Sequence, residues 1–348
     1  MILLAASISA PVIWEIDHGL NTCIVQGVFH RALNCVDERN GLLTIATSVY
    51  GNGPFGVSVE TADGFSFIDV GVKIGQQVQI DRNAIRIPLA PLEISLKHAV
   101  IWHCSPPVKI QSYQAIFDIG NNLQIAHKTA VNSQLESGLA PLLNHLDGIL
   151  SGDLLENQKL PLLCRFSVKH LVGISRGIQH SDSKMLNKAV LPLIGLGCGL
   201  TPSGDDILMG VIGALSLFSD WQDIRRLCDG LSDVIASSVH GRTTFVSASY
   251  LEYAKKGFQS EALGDFLSSI VNGSGHKVFE SSKRLLMFGH TSGHEIVLGS
   301  LLCLASIRCR YMGMQCNVRV ASDSMSQSLL GCCLTVGSSR LEPWIITE

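Results

Sequence analysis

No block of lysine and arginine occurs anywhere in the 348 residues, only 16% of them are charged, and the formal net charge is −3. A chain of this kind lacks the field that a polyanion or an anionic membrane surface would need, so neither nucleic acid nor membrane is an expected partner. Long hydrophobic runs are missing as well: 207–218 and 296–305 fall short of the roughly 18 residues that span a bilayer. The opening MILLAASISAPVIW is apolar and contains a Ser-Ile-Ser-Ala step, but it has no positively charged segment of the sort that begins a secretory leader. Eleven cysteines are present without a CxxC pair or a zinc-ligand spacing. Several lie within apolar runs, where a reduced thiol behaves as a small hydrophobe. The expectation is a soluble, cytoplasmic protein.

What the chain does have is apolar content, 46% of residues, and enough length for roughly two domains. Between about 12 and 105, short β-branched or alternating segments recur: TCIVQGVF, LLTIATSVY, GVSVE, FSFIDVGVKI, QVQI and AIRIPL. Turn signals separate them, among them Arg39-Asn40-Gly41, Gly51-Asn52-Gly53-Pro54 and Ala62-Asp63-Gly64. The Ser105-Pro106-Pro107 step marks a boundary, because adjacent prolines cannot donate to a ladder. From about 114 the apolar spacing is helical, enough for eight to ten helices. The pattern predicts an α+β protein: a β-rich domain over 1–112, as an antiparallel sheet or small barrel, followed by a mainly helical domain over 113–348. The last stretch, from Cys316, mixes both textures.

The helical part contains a repeat. LTPSGDDILMGVIGAL (200–215) aligns without gaps on GHTSGHEIVLGSLLCL (289–304). Ser203 matches Ser292, Gly204 matches Gly293, Asp206 matches Glu295, Ile207 matches Ile296, Gly210 matches Gly299 and Leu215 matches Leu304. In each copy a serine precedes an acid by three residues, the spacing of a capping box, in which hydroxyl and carboxylate satisfy the helix's own first amides. Residues 207–215 and 296–304 are apolar on every face, which predicts two buried central helices. Gly210 and Gly299 each cost roughly 1 kcal/mol in a helix interior relative to alanine, a cost that close helix approach would explain.

The loop before the first copy, Gly195, Gly197 and Gly199, permits a tight backbone course leading to a helix start with free amides, which is how anion cradles are built. It matches neither the P-loop nor G-x-G-x-x-G. In this reading Ser203 and Asp206 cap the helix, while Gly199, Thr201, Gly204 and Asp205 line a cleft. Two aspartates beside an anion call for a positive partner. Arg242, Thr243 and Thr244, at an apparent helix start in HGRTTFVSASYLEYAKKG, offer a guanidinium fork with hydroxyl donors. His290 and His294 flank the second copy and His240 stands nearby, but no third metal ligand is evident. Lys169, His170 and Arg176 read as a polar helix face.

The runs GLGCGLTPSGDDILMG, GRTTFVSASYLEYAKKG and GHTSGHEIVLGSLLCL, with GVFHRALNCVD, LLTIATS and GNGPFGVSVE upstream, resemble a bacterial family. Its members include the AllH subunit associated with oxamate carbamoyltransferase in allantoin breakdown. The stretch Gly-Leu-Thr-Pro-Ser-Gly-Asp-Asp at 199–206 is the most specific element. The chain departs at His294, where the commoner form has an aromatic, and at Cys198, where a small residue or proline is usual. The resemblance implies a subunit of a multi-subunit enzyme that converts oxalurate and phosphate to oxamate and carbamoyl phosphate. On that reading the small anionic substrate (carbamoyl phosphate, oxalurate or oxamate) would be held by Gly199, Thr201, Ser203, Gly204, Arg242, Thr243, Thr244, Ser292 and Gly293. Asp205, Asp206 or His290 would serve as acid or base. No cofactor is certain from the sequence, magnesium being the one the acids could take. The rival readings are a non-catalytic assembly or small-anion-binding protein, and a self-contained metal-dependent hydrolase or transferase using Asp205, Asp206, Glu295 and His290.

Overall fold

The computed structural model describes residues 1–104, 108–153 and 159–316. The Ser105-Pro106-Pro107 step and the stretch from 317 onward lie outside the described residues. The nine strands among the described residues are β1 (Ile2–Ser9), β2 (Thr22–Val28), β3 (Ala32–Val36), β4 (Leu42–Thr47), β5 (Gly56–Glu60), β6 (Gln77–Ile80), β7 (Ala84–Ile87), β8 (Leu92–Ser95) and β9 (Val100–Trp102). The α-helices among the described residues begin with α1 (Ala10–Asp17), α2 (Tyr113–Asp118), α3 (Gly120–Val131), α4 (Leu146–Ser151), α5 (Leu162–Gln179) and α6 (Ser183–Val190). They continue with α7 (Ser203–Ser216), α8 (Gln222–Ser238), α9 (Phe245–Lys255), α10 (Glu261–Asn272), α11 (Gly275–Leu286) and α12 (Ser292–Cys316). The protein is α+β, a β-barrel followed by a helical region. Two compact units divide the chain: 1–106 with 245–265, and 107–244 with the described residues from 266 onward.

In the first unit the strands close in the order β1-β5-β4-β3-β2-β6-β7-β8 and back to β1. Closure depends on β1, which is bulged between Ala5 and Ser7 where it pairs with β5. Along its other side Ile2–Leu4 pair with Glu93–Ser95 of β8, and Ser7–Ser9 pair with Val100–Trp102 of β9. A ring of eight strands leaves an interior that side chains fill. Alternation puts Val25, Leu33, Ile45, Val59, Ile85 and Ile94 there, all 0% exposed. The ladder is mixed, with β1–β8, β1–β9 and β4–β5 parallel.

MILLAASIS lies outside the expected strand segments but supplies β1 of the barrel. One expected strand is absent. FSFIDVGVKI, expected as a strand, is a run of turns: the Ser66 hydroxyl accepts the Ile68 amide at 3.2 Å, Asp69 N–H reaches Ser66 O, and Gly71 adopts φ +87°. Its Phe67 and Val72 still reach the core. A serine that binds the backbone two residues on competes with a ladder, and period-2 apolarity cannot reveal that. The returning helix α9 sets Tyr250 and Tyr253 edge-on to Phe55, with centroids at 4.6 and 5.2 Å.

The helical unit is built on α7 and α12. Every residue from Ser203 to Leu215 is buried, and α12 is buried from Ser292 to Ser306. Eleven helices, α2 to α12, follow the barrel among the described residues. The excess over eight to ten arises partly because the pattern over 113–131 breaks at Ile119, between α2 and α3.

No helix among the described residues is long and apolar enough to cross a membrane.

Candidate functional site

The two copies of the repeat begin in the same way. Pro202 O accepts the amides of Asp205 (2.9 Å) and Asp206 (3.1 Å), and the matching Thr291 O accepts those of His294 (3.0 Å) and Glu295 (3.1 Å). The preceding loops fold back so that Gly204 N–H meets Leu196 O at 2.8 Å and Gly293 N–H meets Phe288 O at 2.9 Å. The amides of Gly204 and Gly293 are thus already occupied. Their missing side chains serve packing: a Cβ on Gly204 would lie 2.0 Å from Leu193 O, and one on Gly293 2.1 Å from Leu285 O.

The expected capping boxes do not form in this shape. Helix α7 starts after Pro202 with no side-chain cap, and the serines act across the repeat instead. The Ser203 hydroxyl serves Glu295, and the Ser292 hydroxyl serves Asp206. The physical reason is proximity of the two helices. A Cβ on Gly210 would stand 2.1 Å from Ile296 O, and one on Gly299 2.1 Å from Ile207 O. Gly210 therefore meets the partner of its own neighbour, and Gly299 returns the contact. Backbones that approach so closely bring each helix start within reach of the other's acid.

The two aspartates have opposite surroundings. Asp205 is fully buried and satisfied: Oδ1 accepts Gly195 N–H at 2.9 Å, and Oδ2 accepts the Thr243 hydroxyl. It latches the glycine loop to the 243 strap and does not line a cleft. Asp206 is 4% exposed, and its Oδ2 has no hydrogen-bond partner. Burial drives its carboxyl well above the usual carboxylate range. The Ser292 hydroxyl opposes this, the Glu295 charge adds to it, Thr201 opposes it and Asp205 adds to it. Thr201 Oγ1 and Ser292 Oγ lie 3.0 Å apart. The Ser292 hydroxyl and that of the part-exposed Thr201 thus both act on the buried Asp206 carboxyl and lie against each other.

Glu295 is 0% exposed but well supplied: Oε1 accepts Leu139 N–H at 2.9 Å and Oε2 the Thr291 hydroxyl at 3.0 Å. Burial raises its pKa, and Ser203, Leu139, Thr291 and the His290 charge offset part of that rise. Of two neighbouring buried acids, the one with more donors keeps its charge and the one with fewer keeps the proton. Asp206, with fewer donors, is the one driven further toward its neutral form. Glu295 was expected at the site only in the metal-dependent reading, and its alignment with Asp206 was the signal for it. Leu139 had none; its amide arrives because Gly138 turns at φ +60°, with a Cβ position 2.3 Å from Glu295 Oε1.

The remaining expected residues are spread around this centre. Thr244 donates its hydroxyl to Leu200 O. The exposed Arg242 gives Nη1 to Leu191 O at 3.2 Å. Gly199 takes φ +97° with open space where a Cβ would stand. His290 is exposed, whereas His294 is buried, with Nε2 2.6 Å from Ser133 Oγ and Nδ1 unpartnered. Burial and the charge of His290 hold the His294 pKa below its ordinary value. Among the described residues no group of three or more His, Cys, Asp and Glu side chains converges so as to hold a metal ion. Asp205, Asp206, Glu295 and His290 therefore do not meet as a ligand set.

The contrast between the aspartates gives a first expected result. Asp205→Asn places an amide where an oxygen accepts a donor, and it should lower stability by about 1–3 kcal/mol in urea denaturation.

A family model described as oxamate carbamoyltransferase subunit AllH matches residues 193–304, and one described as the AllH family N-terminal domain matches residues 5–101. The first match begins at the carbonyl that packs on Gly204 and ends on the last residue of the second repeat. No solved structure matches the chain.

Proposed function

The chain belongs to the AllH family, and from that premise we propose that it is a subunit of an oxamate carbamoyltransferase-type enzyme, with the paired helix starts as its proton-carrying centre. The reaction is oxalurate plus phosphate to oxamate plus carbamoyl phosphate. A phosphate oxygen adds to the ureido carbonyl, the carbon–nitrogen bond breaks, and the departing oxamate nitrogen takes up a proton. One observation carries the reading: a buried carboxyl at Asp206 with one unpartnered oxygen, its pKa pushed up by burial, beside the Ser292 hydroxyl and that of the part-exposed Thr201. Such a group is an acid at neutral pH, matched to protonating a leaving nitrogen.

Phosphate is assigned to Arg242. Its guanidinium makes one backbone hydrogen bond, to Leu191 O, and is otherwise turned to solvent. The Thr243 and Thr244 hydroxyls hold the strap that carries it. Removing the guanidinium with Arg242→Ala should raise the KM for phosphate by about tenfold, the worth of one charge-assisted contact, with no change in melting temperature. An unchanged KM would remove Arg242 from the site.

The test begins with the tagged chain isolated from its native host and the oxalurate phosphorolysis assay run on whatever co-elutes in stoichiometric amount. Asp206→Asn in that complex is the deciding sample. Full activity in this variant would select the alternative, a non-catalytic assembly subunit. That reading is favoured by the occupied amides of Gly204 and Gly293 and by the use of four glycines for packing.

A further inference from the structure

The barrel unit holds a groove of about 260 Å³ bordered by Glu15, Cys23, Asp37, Arg39, Tyr253 and Lys256. Asp37 and Arg39 also border a neighbouring hollow of about 290 Å³. One wall is the β3–β4 hairpin tip. There Asp37 Oδ1 accepts the amides of Arg39 (2.9 Å) and Gly41 (2.5 Å), and Asn40 turns at φ +61°. This fixes Arg39, whose Nη2 donates to Glu15 Oε2 at 2.9 Å while its Nε stays 3.7 Å from Asp37 Oδ2. Asp37 Oδ2 is therefore beyond hydrogen-bonding reach of the guanidinium. The other wall exists only because the chain returns to this unit at 245–265.

That returning segment supplies two groups without polar partners. Lys256 Nζ lies 5.3 Å from the Tyr253 ring centroid and has no carboxylate partner among the described residues. The Tyr253 hydroxyl makes no hydrogen bond among the described residues. Burial first, then the charges of Glu15 and Asp37, raise its pKa, so it remains a neutral donor close to two carboxylates.

The geometry points to a binding site for a small zwitterion carrying a carboxylate and an ammonium group. Lys256, Tyr253 and Arg39 take the carboxylate, and Glu15 and Asp37 take the ammonium. The four charged side chains sum to zero, so a lone anion or cation would leave the groove unbalanced, whereas a zwitterion satisfies both halves. The volume lies just below the usual range for drug-sized ligand pockets and suits a molecule the size of an amino acid.

Isothermal titration of the full chain with glycine, β-alanine and 4-aminobutyrate tests this over three spans, with acetate and methylammonium as single-ended controls. At least one zwitterion should bind at least about tenfold more tightly than either control, the worth of one further charge-assisted contact. Lys256→Gln, at an exposed position, and Tyr253→Phe, which keeps the ring, should each weaken that binding severalfold. The assignment is overturned if no zwitterion exceeds the controls, or if Lys256→Gln binds as the parent does.

Discussion

Gly210→Ala should lower the melting temperature by about 4–8 °C. The added methyl would sit 2.1 Å from Ile296 O and 2.7 Å from Ser300 N, both backbone atoms of α12. No side-chain rotation relieves a clash with backbone, so the two helices must separate. Overpacking a core costs about 1–3 kcal/mol and sometimes more. A backbone-to-backbone clash belongs at the upper end, and the roughly 1 kcal/mol that alanine gains in helix propensity offsets only part of it. At about 2 kcal/mol net, a domain of this size loses about 2–4 °C per kcal/mol. Gly299→Ala should match it, since its methyl would sit 2.1 Å from Ile207 O. The double variant should fall short of the sum, because the first substitution already moves the helices apart. Differential scanning calorimetry reads all three, and an unchanged midpoint in either single variant would contradict the close approach.

Asp206→Asn should do the reverse to stability while lowering turnover by about 10²–10⁴-fold, the range for losing a general acid. The amide has the shape of the neutral carboxyl and cannot ionise. Asp206 and Glu295 both have native pKa values raised by burial, so the native state retains protons that the unfolded chain has released. Their contribution to stability is complete below the unfolded carboxylate range, about pH 4. It is lost as pH rises through the raised native values. The parent should therefore become less stable with rising pH across that window, and Asp206→Asn should show a flatter profile and an equal or higher midpoint at neutral pH. Turnover by the complex, measured beside thermal melts from pH 4 to 8, separates proton transfer from mere packing. Loss of activity together with loss of stability would show a structural role instead.

The gapless match between 200–215 and 289–304 revealed two equivalent buried helices, and the penalty of Gly210 and Gly299 correctly pointed to close contact. It did not reveal which helix each serine would serve. Ser203 and Asp206 have the spacing for a local cap, and nothing within one copy shows that the other copy's acid lies nearer. The roles of the adjacent aspartates were likewise out of reach, because they depend on Gly195 N–H and the Thr243 hydroxyl, both remote in sequence. In the barrel, the alternation of QVQI and AIRI was enough to identify β6 and β7. β1 and β3 were not identified, since ILLAASIS and ALNCV lack clean period-2 alternation.

The exchange of serines between α7 and α12 also sets an order on synthesis. Helix α7 leaves the ribosome about ninety residues before the start of α12, an interval of roughly 5–20 s at about 5–20 residues per second. Throughout it, Asp206 lacks Ser292 and the Gly210 face lacks the backbone that will cover it. The nascent chain must wait with an apolar helix uncovered, which makes this interval the one in which chaperones have most to bind. A stop codon placed before Ser292 should accordingly yield an insoluble product, however complete the barrel upstream.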